Sequence, residues 1–269
     1  VKMVQGDTLK LLSDTLYYKG NEMVAHSIGN VKLYHKESRL ETTYLDYFRI
    51  ENLGVYHDGG TLYDKDNVLC SDWGQYSPAR NEAMFADSVI LTNPKFVMKT
   101  NMLYYYTDTE IAKIVSPTEI NTSDGTFVYS ENGRYDTRNS WADLLDRSYI
   151  IKDMRRIEGD SLHYDDMRNL SEAFGQVVIN DADNYCMLLG NCCEYNDSTG
   201  YAMATDSAVL LDYSSLDTMY VHGDTLKMFT YNINTDSVYR NLHIYHKVRM
   251  FRNDIQGVCD SLVVLSKDS

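Results

Sequence analysis

Apolar and polar residues alternate with a period of two along much of the chain. Val31-Lys32-Leu33-Tyr34-His35 alternates over its first steps, and Val248-Arg249-Met250-Phe251-Arg252 repeats the pattern. Such alternation puts every second side chain on one face of a pleated strand. The runs end at polar or glycine clusters: His57-Asp58-Gly59-Gly60, Asn132-Gly133 and Asn196-Asp197-Ser198-Thr199-Gly200. These read as hairpin signals. A helical stripe is hard to find. Its best candidate is Ser140 to Ile150, where Trp141, Leu144, Leu145 and Ile150 would share a face. Residues 141–156 are therefore expected as an irregular or short helical connection between two β-repeat regions, 1–140 and 157–269, with the second continuing the stack of the first. The chain has 23 tyrosines and only 3 prolines, a balance that suits half-buried pleated surfaces.

The chain also repeats itself. Asp followed by Ser or Thr and then an apolar residue occurs at Asp7-Thr8-Leu9, Asp14-Thr15-Leu16, Asp87-Ser88-Val89, Asp160-Ser161-Leu162 and Asp206-Ser207-Ala208. It recurs at Asp217-Thr218-Met219, Asp224-Thr225-Leu226, Asp236-Ser237-Val238 and Asp260-Ser261-Leu262. Side chains of this kind bond nearby backbone and open turns, so each motif is expected to start a strand facing inward. Longer pairs support the repeat. Asp14 stands as far before Val31 as Asp160 before Val177, and Asp7 as far before Val31 as Asp224 before Val248. Repeats of short strands bury an apolar face only by stacking on their neighbours. A β-helix or folded-over, V-shaped sheet satisfies this better than a compact sandwich, because similar units follow one another.

The 269 residues suffice for one extended domain or two compact ones, and 43% apolar content marks a folding sequence. No apolar run approaches the ~18 residues of a membrane-spanning helix. Val1-Lys2-Met3-Val4-Gln5 lacks the apolar stretch of a secretion signal, which leaves a cytosolic protein or one whose leader has been removed. The net charge of −14, spread along the chain, weighs against nucleic acid and against binding an anionic ligand mainly through its phosphates. Cys70, Cys186, Cys192, Cys193 and Cys259 have no metal-site spacing and read as small buried hydrophobes. A Cys186–Cys192 or Cys186–Cys193 bridge stays open. The histidines at 26, 35, 57, 163, 222, 243 and 246 are scattered, and none sits in a nucleophile context. No catalytic residue, metal ligand or cofactor is assigned. Asp64-Lys65-Asp66-Asn67 is the nearest approach to a calcium loop and reads as a solvated turn. Tyr104-Tyr105-Tyr106 is the best candidate for a sugar-stacking platform, with strand packing as the simpler account.

Gly29-Asn30-Val31-x-Leu33, followed by Leu40 and Leu45-Asp46-Tyr47, resembles the signature of the organic-solvent-tolerance (OstA) family, which includes LptA-like lipopolysaccharide-transport proteins and the periplasmic part of LptD-like proteins. Ala173-Phe174-Gly175-Gln176-Val177 is similar to a second copy. His246-Lys247-Val248-Arg249-Met250 with Val258-Cys259-Asp260-Ser261-Leu262 is similar to a third. Ala112 to Thr118 and Tyr129 to Tyr135 resemble the version in Bacteroides-type bacteria. The resemblance spans nearly all of the chain except Trp141 to Arg156. It implies an all-β, elongated β-taco or jelly-roll of repeated short antiparallel strands. It also implies a periplasmic protein, with outer-membrane association as an option, that is not an enzyme. The implied ligand is lipopolysaccharide or lipid A, and the implied partners are other Lpt-type envelope proteins or a second copy joined through sheet edges.

On this reading the acyl chains lie in an apolar groove while sugar and phosphates stay in solvent. Val31, Leu33, Leu40, Leu45, Val177, Ile179, Leu188, Val248, Met250 and Leu262 are the expected lining, with ordinary core packing as the alternative for each taken alone. The rival functions are a carbohydrate-binding β-solenoid and a structural scaffold of the outer membrane. A trough wide enough for acyl chains separates the first reading from both.

Overall fold

The computed structural model describes residues 1–6, 9–233 and 235–265. Of the repeat motifs, Asp7 and Thr8 lie outside the described residues. The first strands are β1 (Lys2–Gln5), β2 (Leu9–Leu12), β3 (Thr15–Lys19), β4 (Val24–His35), β5 (Ser38–Phe48), β6 (Leu53–Tyr56), β7 (Gly60–Asp64), β8 (Asn67–Ser71) and β9 (Trp73–Ser77). Then come β10 (Glu82–Asn93), β11 (Phe96–Tyr106), β12 (Ile111–Ile114), β13 (Thr118–Thr122), β14 (Phe127–Ser130), β15 (Asn132–Asp136), β16 (Trp141–Lys152) and β17 (Arg155–Asp165). The series closes with β18 (Leu170–Asp181), β19 (Cys186–Asn196), β20 (Tyr201–Asp212), β21 (Met219–Tyr231), β22 (Tyr239–Arg252) and β23 (Ile255–Leu265). Neighbours pair antiparallel. One 3-10 turn, Pro78–Arg80, is the only helical element among the described residues. The all-β folded sheet expected from the repeats is therefore the architecture found. The chain forms two compact units, residues 1–125 with 129–139, and residues 126–128 with 140–269.

Residues 141–156 are neither irregular nor helical. They form β16 and the start of β17, paired Trp141↔Asp165 through Lys152↔Arg155. Leu144 and Ile150 point inward, whereas Leu145 is exposed, so the apparent helical stripe joined residues of opposite strand faces. Two other expectations also change. His57–Gly60 and Asn132–Gly133 do not close hairpins. Residues 57–59 interrupt one rung, with β6 and β7 on either side both pairing with β5. Asn132 and Gly133 begin β15 itself. Asn196–Gly200 does hold a turn, between β19 and β20.

Most Asp-Ser/Thr motifs mark bends in the middle of strands instead of turns between them. Gly29-Asn30, Asp87-Ser88, Asp146-Arg147, Gly175-Gln176, Asp206-Ser207 and His246-Lys247 are consecutive left-handed pairs within long strands. The pairing register shifts at each. Gly, Asn and Asp adopt this region at lowest cost. Asp160, Asp224 and Asp260 stand unpaired opposite such bulges. The equal spacing seen in sequence has a direct cause. Gly29 and Gly175 share φ +73°, and a Cβ at either would lie 2.5 Å from Oδ2 of Asp14 or Asp160. Asp217-Thr218 and Asp236-Ser237 are the exceptions, lying in the connections before β21 and β22.

Each bend divides a strand into two arms, and within each unit the arms fold over a core. In the first unit, a Cβ on Gly54 would meet Leu45 on its own arm at 3.2 Å and Leu33 from the other arm at 3.3 Å. Large rings fill this core: Tyr47, Tyr56, Tyr76, Tyr105 and Phe85 are fully buried. Tyr56 fits only because Gly60 and Gly74 lack side chains, since a Cβ there would lie 2.7 and 2.4 Å from it. Polar groups close the ends of the arms. Asp64 accepts from Ser38 Oγ at 2.7 Å and from the Tyr105 hydroxyl at 2.8 Å. Asn67 donates to the Tyr105 oxygen and to Thr137 Oγ1, at 2.9 and 3.0 Å. The turn expected over Asp64–Asn67 is present, with Lys65 and Asp66 exposed at its tip, but Asp64 and Asn67 on either side of it are buried.

Candidate functional site

The second unit packs small residues where the first packs rings. Ala142, Ala173, Ala202, Ala204, Ala208 and Cys193 are buried along its interior. Gly190 and Gly223 face neighbours at distances that leave no space for a side chain without displacement. Near the bends this lining closes up, with Val221, Ile244 and Val248 fully buried. Farther out along the arms it does not. A cavity of about 270 Å³ lies there. One arm contributes Ile179, Leu188, Leu210 and Met219, and the other contributes Ala202, Leu226, Met228, Leu242 and Val264. Alternation sends these side chains inward, and short facing residues leave the gap unfilled. That volume is far more than a single water needs, and an apolar void of this kind is a poor place for water.

The rim is polar. Asp181, Asn184, Asp212, Arg155 and Arg240 border the cavity. Asp181 accepts from the amide and side chain of Asn184, and Asp212 from the amide and hydroxyl of Ser214, so both carboxylates hold turns in shape. Three cationic side chains cross between the arms. Lys152 reaches Asp197 at 2.8 Å, Arg155 reaches the same carboxylate at 3.3 Å, and Arg240 donates to Asn184 Oδ1 at 2.6 Å. Arg155 also pairs with Asp181 at 3.4 Å, and its guanidinium lies 4.2 Å from the Tyr195 ring centre. A polar cleft of about 330 Å³ adjoins the rim, bordered by Asp153, Thr230 and Thr235 as well as Arg155 and Arg240.

Burial raises the phenol of Tyr195, with the nearby carboxylates adding to the shift. It pushes the Cys186 thiol at the rim up to about 11, and Asp181 acts in the same direction. The Cys193 thiol is pushed up to about 12 by burial. Protonated thiols of this kind are poor nucleophiles. All five cysteines are free. Only Cys193 is the fully buried hydrophobe expected, and Cys259 is exposed. Among the described residues no three His, Cys, Asp or Glu side chains are placed to hold a metal ion. No helix among them is long and apolar enough to cross a membrane. The Tyr104–Tyr106 run offers no continuous platform, because Tyr105 is fully buried between its neighbours.

Of the residues expected to line a groove, Ile179 and Leu188 meet at this cavity. Val31, Leu33, Leu40 and Leu45 lie in the packed core of the first unit. Val177 and Val248 are buried in the second unit outside the cavity lining. Met250 and Leu262 are half-buried on β22 and β23. Leu210, Met228, Leu242 and Val264 also line it without having been singled out in sequence, as do Met219 and Leu226. These last two follow the Asp217-Thr218 and Asp224-Thr225 motifs, the signals that pointed toward them.

Fold and site together define an all-β protein of folded antiparallel strands with an apolar cavity between its arms. Residues 1–101 match the model of the OstA-like protein family. Among solved structures, the chain is similar to LptH of Pseudomonas aeruginosa, the LptA-homologous periplasmic component of a lipopolysaccharide transport device. The two are 15% identical, the alignment covers 39% of this chain and 79% of that one, and the TM-score is 0.36. A second similarity is to the WD40 domain of SCAP from fission yeast, at 9% identity over 96% of this chain and 85% of that one, with a TM-score of 0.15. Both superpositions are too loose to carry function. No curated protein matches the chain.

Proposed function

We propose that this chain is a periplasmic lipopolysaccharide-binding protein of the transport and assembly type, and that it holds acyl chains in the cavity of its second unit. The observation that carries this reading is an apolar cavity between two β arms, ringed by charge, in a chain whose residues 1–101 match the OstA-like family. Burying a methylene stabilises by ~0.8 kcal/mol, so a few carbons in the cavity bind firmly with no contact to the phosphates. At about 270 Å³ the cavity falls just below the ~300–1,000 Å³ range of pockets that enclose whole drug-sized ligands. It suits one alkyl chain better than a complete lipid A. The acidic surface fits an arrangement in which the anionic head stays outside. Partners follow as part of the same proposal: a second copy or a related envelope protein, added strand on strand at a sheet edge.

The test is titration of the full chain with a lipid A analogue, together with mass spectrometry of lipids that co-purify with it. Leu188→Asn and Leu226→Asn put polar groups in the cavity wall and are expected to weaken binding at least ~10-fold while the strand signal in circular dichroism persists. Undiminished binding in both folded variants overturns the assignment of the cavity.

A further inference from the structure

We propose that Arg155 and Tyr195 form a crossbar that ends the apolar cavity and so sets the length of alkyl chain the second unit accepts. This rests on the reading of the cavity as an acyl-chain site. Arg155 opens β17 on one arm, and Tyr195 lies near the end of β19 on the other. The guanidinium sits 4.2 Å from the ring centre, so the pair spans the gap between the arms. It is pinned from two sides, by Asp181 at 3.4 Å and Asp197 at 3.3 Å. An arginine packed on an aromatic face and paired with carboxylates is far more fixed than one in solvent.

Both residues border three spaces: the apolar cavity, the polar cleft and a small pocket of about 20 Å³ beside Ile150, Ile157 and Tyr164. A wall common to all three is what separates them. On one side the apolar lining runs past Leu188 and Leu226 to Val264 on β23. On the other lie the small pocket, with room for about one water, and the polar cleft, whose Asp153, Asp197 and Thr230 disfavour an alkyl chain. An alkyl chain lying along the cavity from the β23 side therefore stops at the crossbar.

The experiment titrates the full chain with saturated fatty acids of increasing length, below their micelle-forming concentrations. For the native sequence, affinity rises about fourfold per methylene and then levels off where the chain meets the crossbar. Tyr195→Ala is expected to move that plateau to chains longer by about two methylenes, a gain of roughly 16-fold for those chains, with the slope below the plateau unchanged. Tyr195→Leu opens less space and is expected to move the plateau less, which guards against loss of fold in the alanine variant. A plateau unmoved in a folded Tyr195→Ala or Tyr195→Leu protein overturns the crossbar. Absence of binding by the native chain at every length instead overturns the acyl-chain reading, and the crossbar with it.

Discussion

Ala202→Leu should make the protein more stable and a worse lipid binder at once. Ala202 is buried on β20, and its methyl group faces the cavity of about 270 Å³. Leucine adds three carbons to space already empty. At ~0.8 kcal/mol per buried methylene the ceiling is about 2.4 kcal/mol, and a gain of about 1–2 kcal/mol is expected after the cost of fixing the rotamer. Ala204, two residues on and facing the same interior, is the control. It is fully buried, and a Cβ built on Gly190 would stand 3.4 Å from its own. Ala204→Leu overpacks that contact and should cost about 1–3 kcal/mol. Urea titration reads both, through midpoints compared at constant slope. The carbons added by Ala202→Leu also displace about three ligand methylenes, weakening a lipid A analogue by about 50-fold. If Ala202→Leu destabilises as much as Ala204→Leu, or binding survives it, the space is not one that an acyl chain enters.

Tyr105→Phe removes the hydroxyl that donates to the buried Asp64 carboxylate, leaving that carboxylate with Ser38, and should lower stability by about 2–3 kcal/mol in the same titration. Gly175→Ala forces a side chain into a left-handed site against Asp160 and should cost at least about 1 kcal/mol, part of which Asp160→Ala restores in the double variant. Burial, helped by the charge of Lys36, holds the His35 imidazole below its ordinary 6.5, so its stabilising contribution is full above that pH. The contribution is lost as pH falls through the lower value of the folded state. His35→Gln should flatten the acid limb of a thermal-stability profile against pH.

The strands were legible because alternation and bend spacing are local. Val31 and Leu33 announce their inward direction within a few residues. The Asp14–Gly29 and Asp160–Gly175 contacts impose the same separation wherever they occur. Residues 141–156 misled because Trp141 and Leu145 are apolar on the outer face, which gave a strand the look of a helical stripe. The cavity was largely illegible. Leu33 and Leu188 carry the same local pattern, yet one meets packed neighbours across the core and the other faces a void. The difference lies in what stands opposite: Leu33 closes on Gly54 beside Leu45, whereas Leu188 faces the methyl group of Ala202 across the cavity, and adjacent sequence does not carry that information.

The stacked left-handed pairs restrict how such a chain changes length. A residue added between a crease and the next hairpin inverts every side chain on that arm and throws its fold point out of line with the strands beside it. Growth and loss must therefore occur in whole strand pairs or at the connections. The links between β20 and β21 and between β21 and β22 are where this chain has room to vary without disturbing the crease.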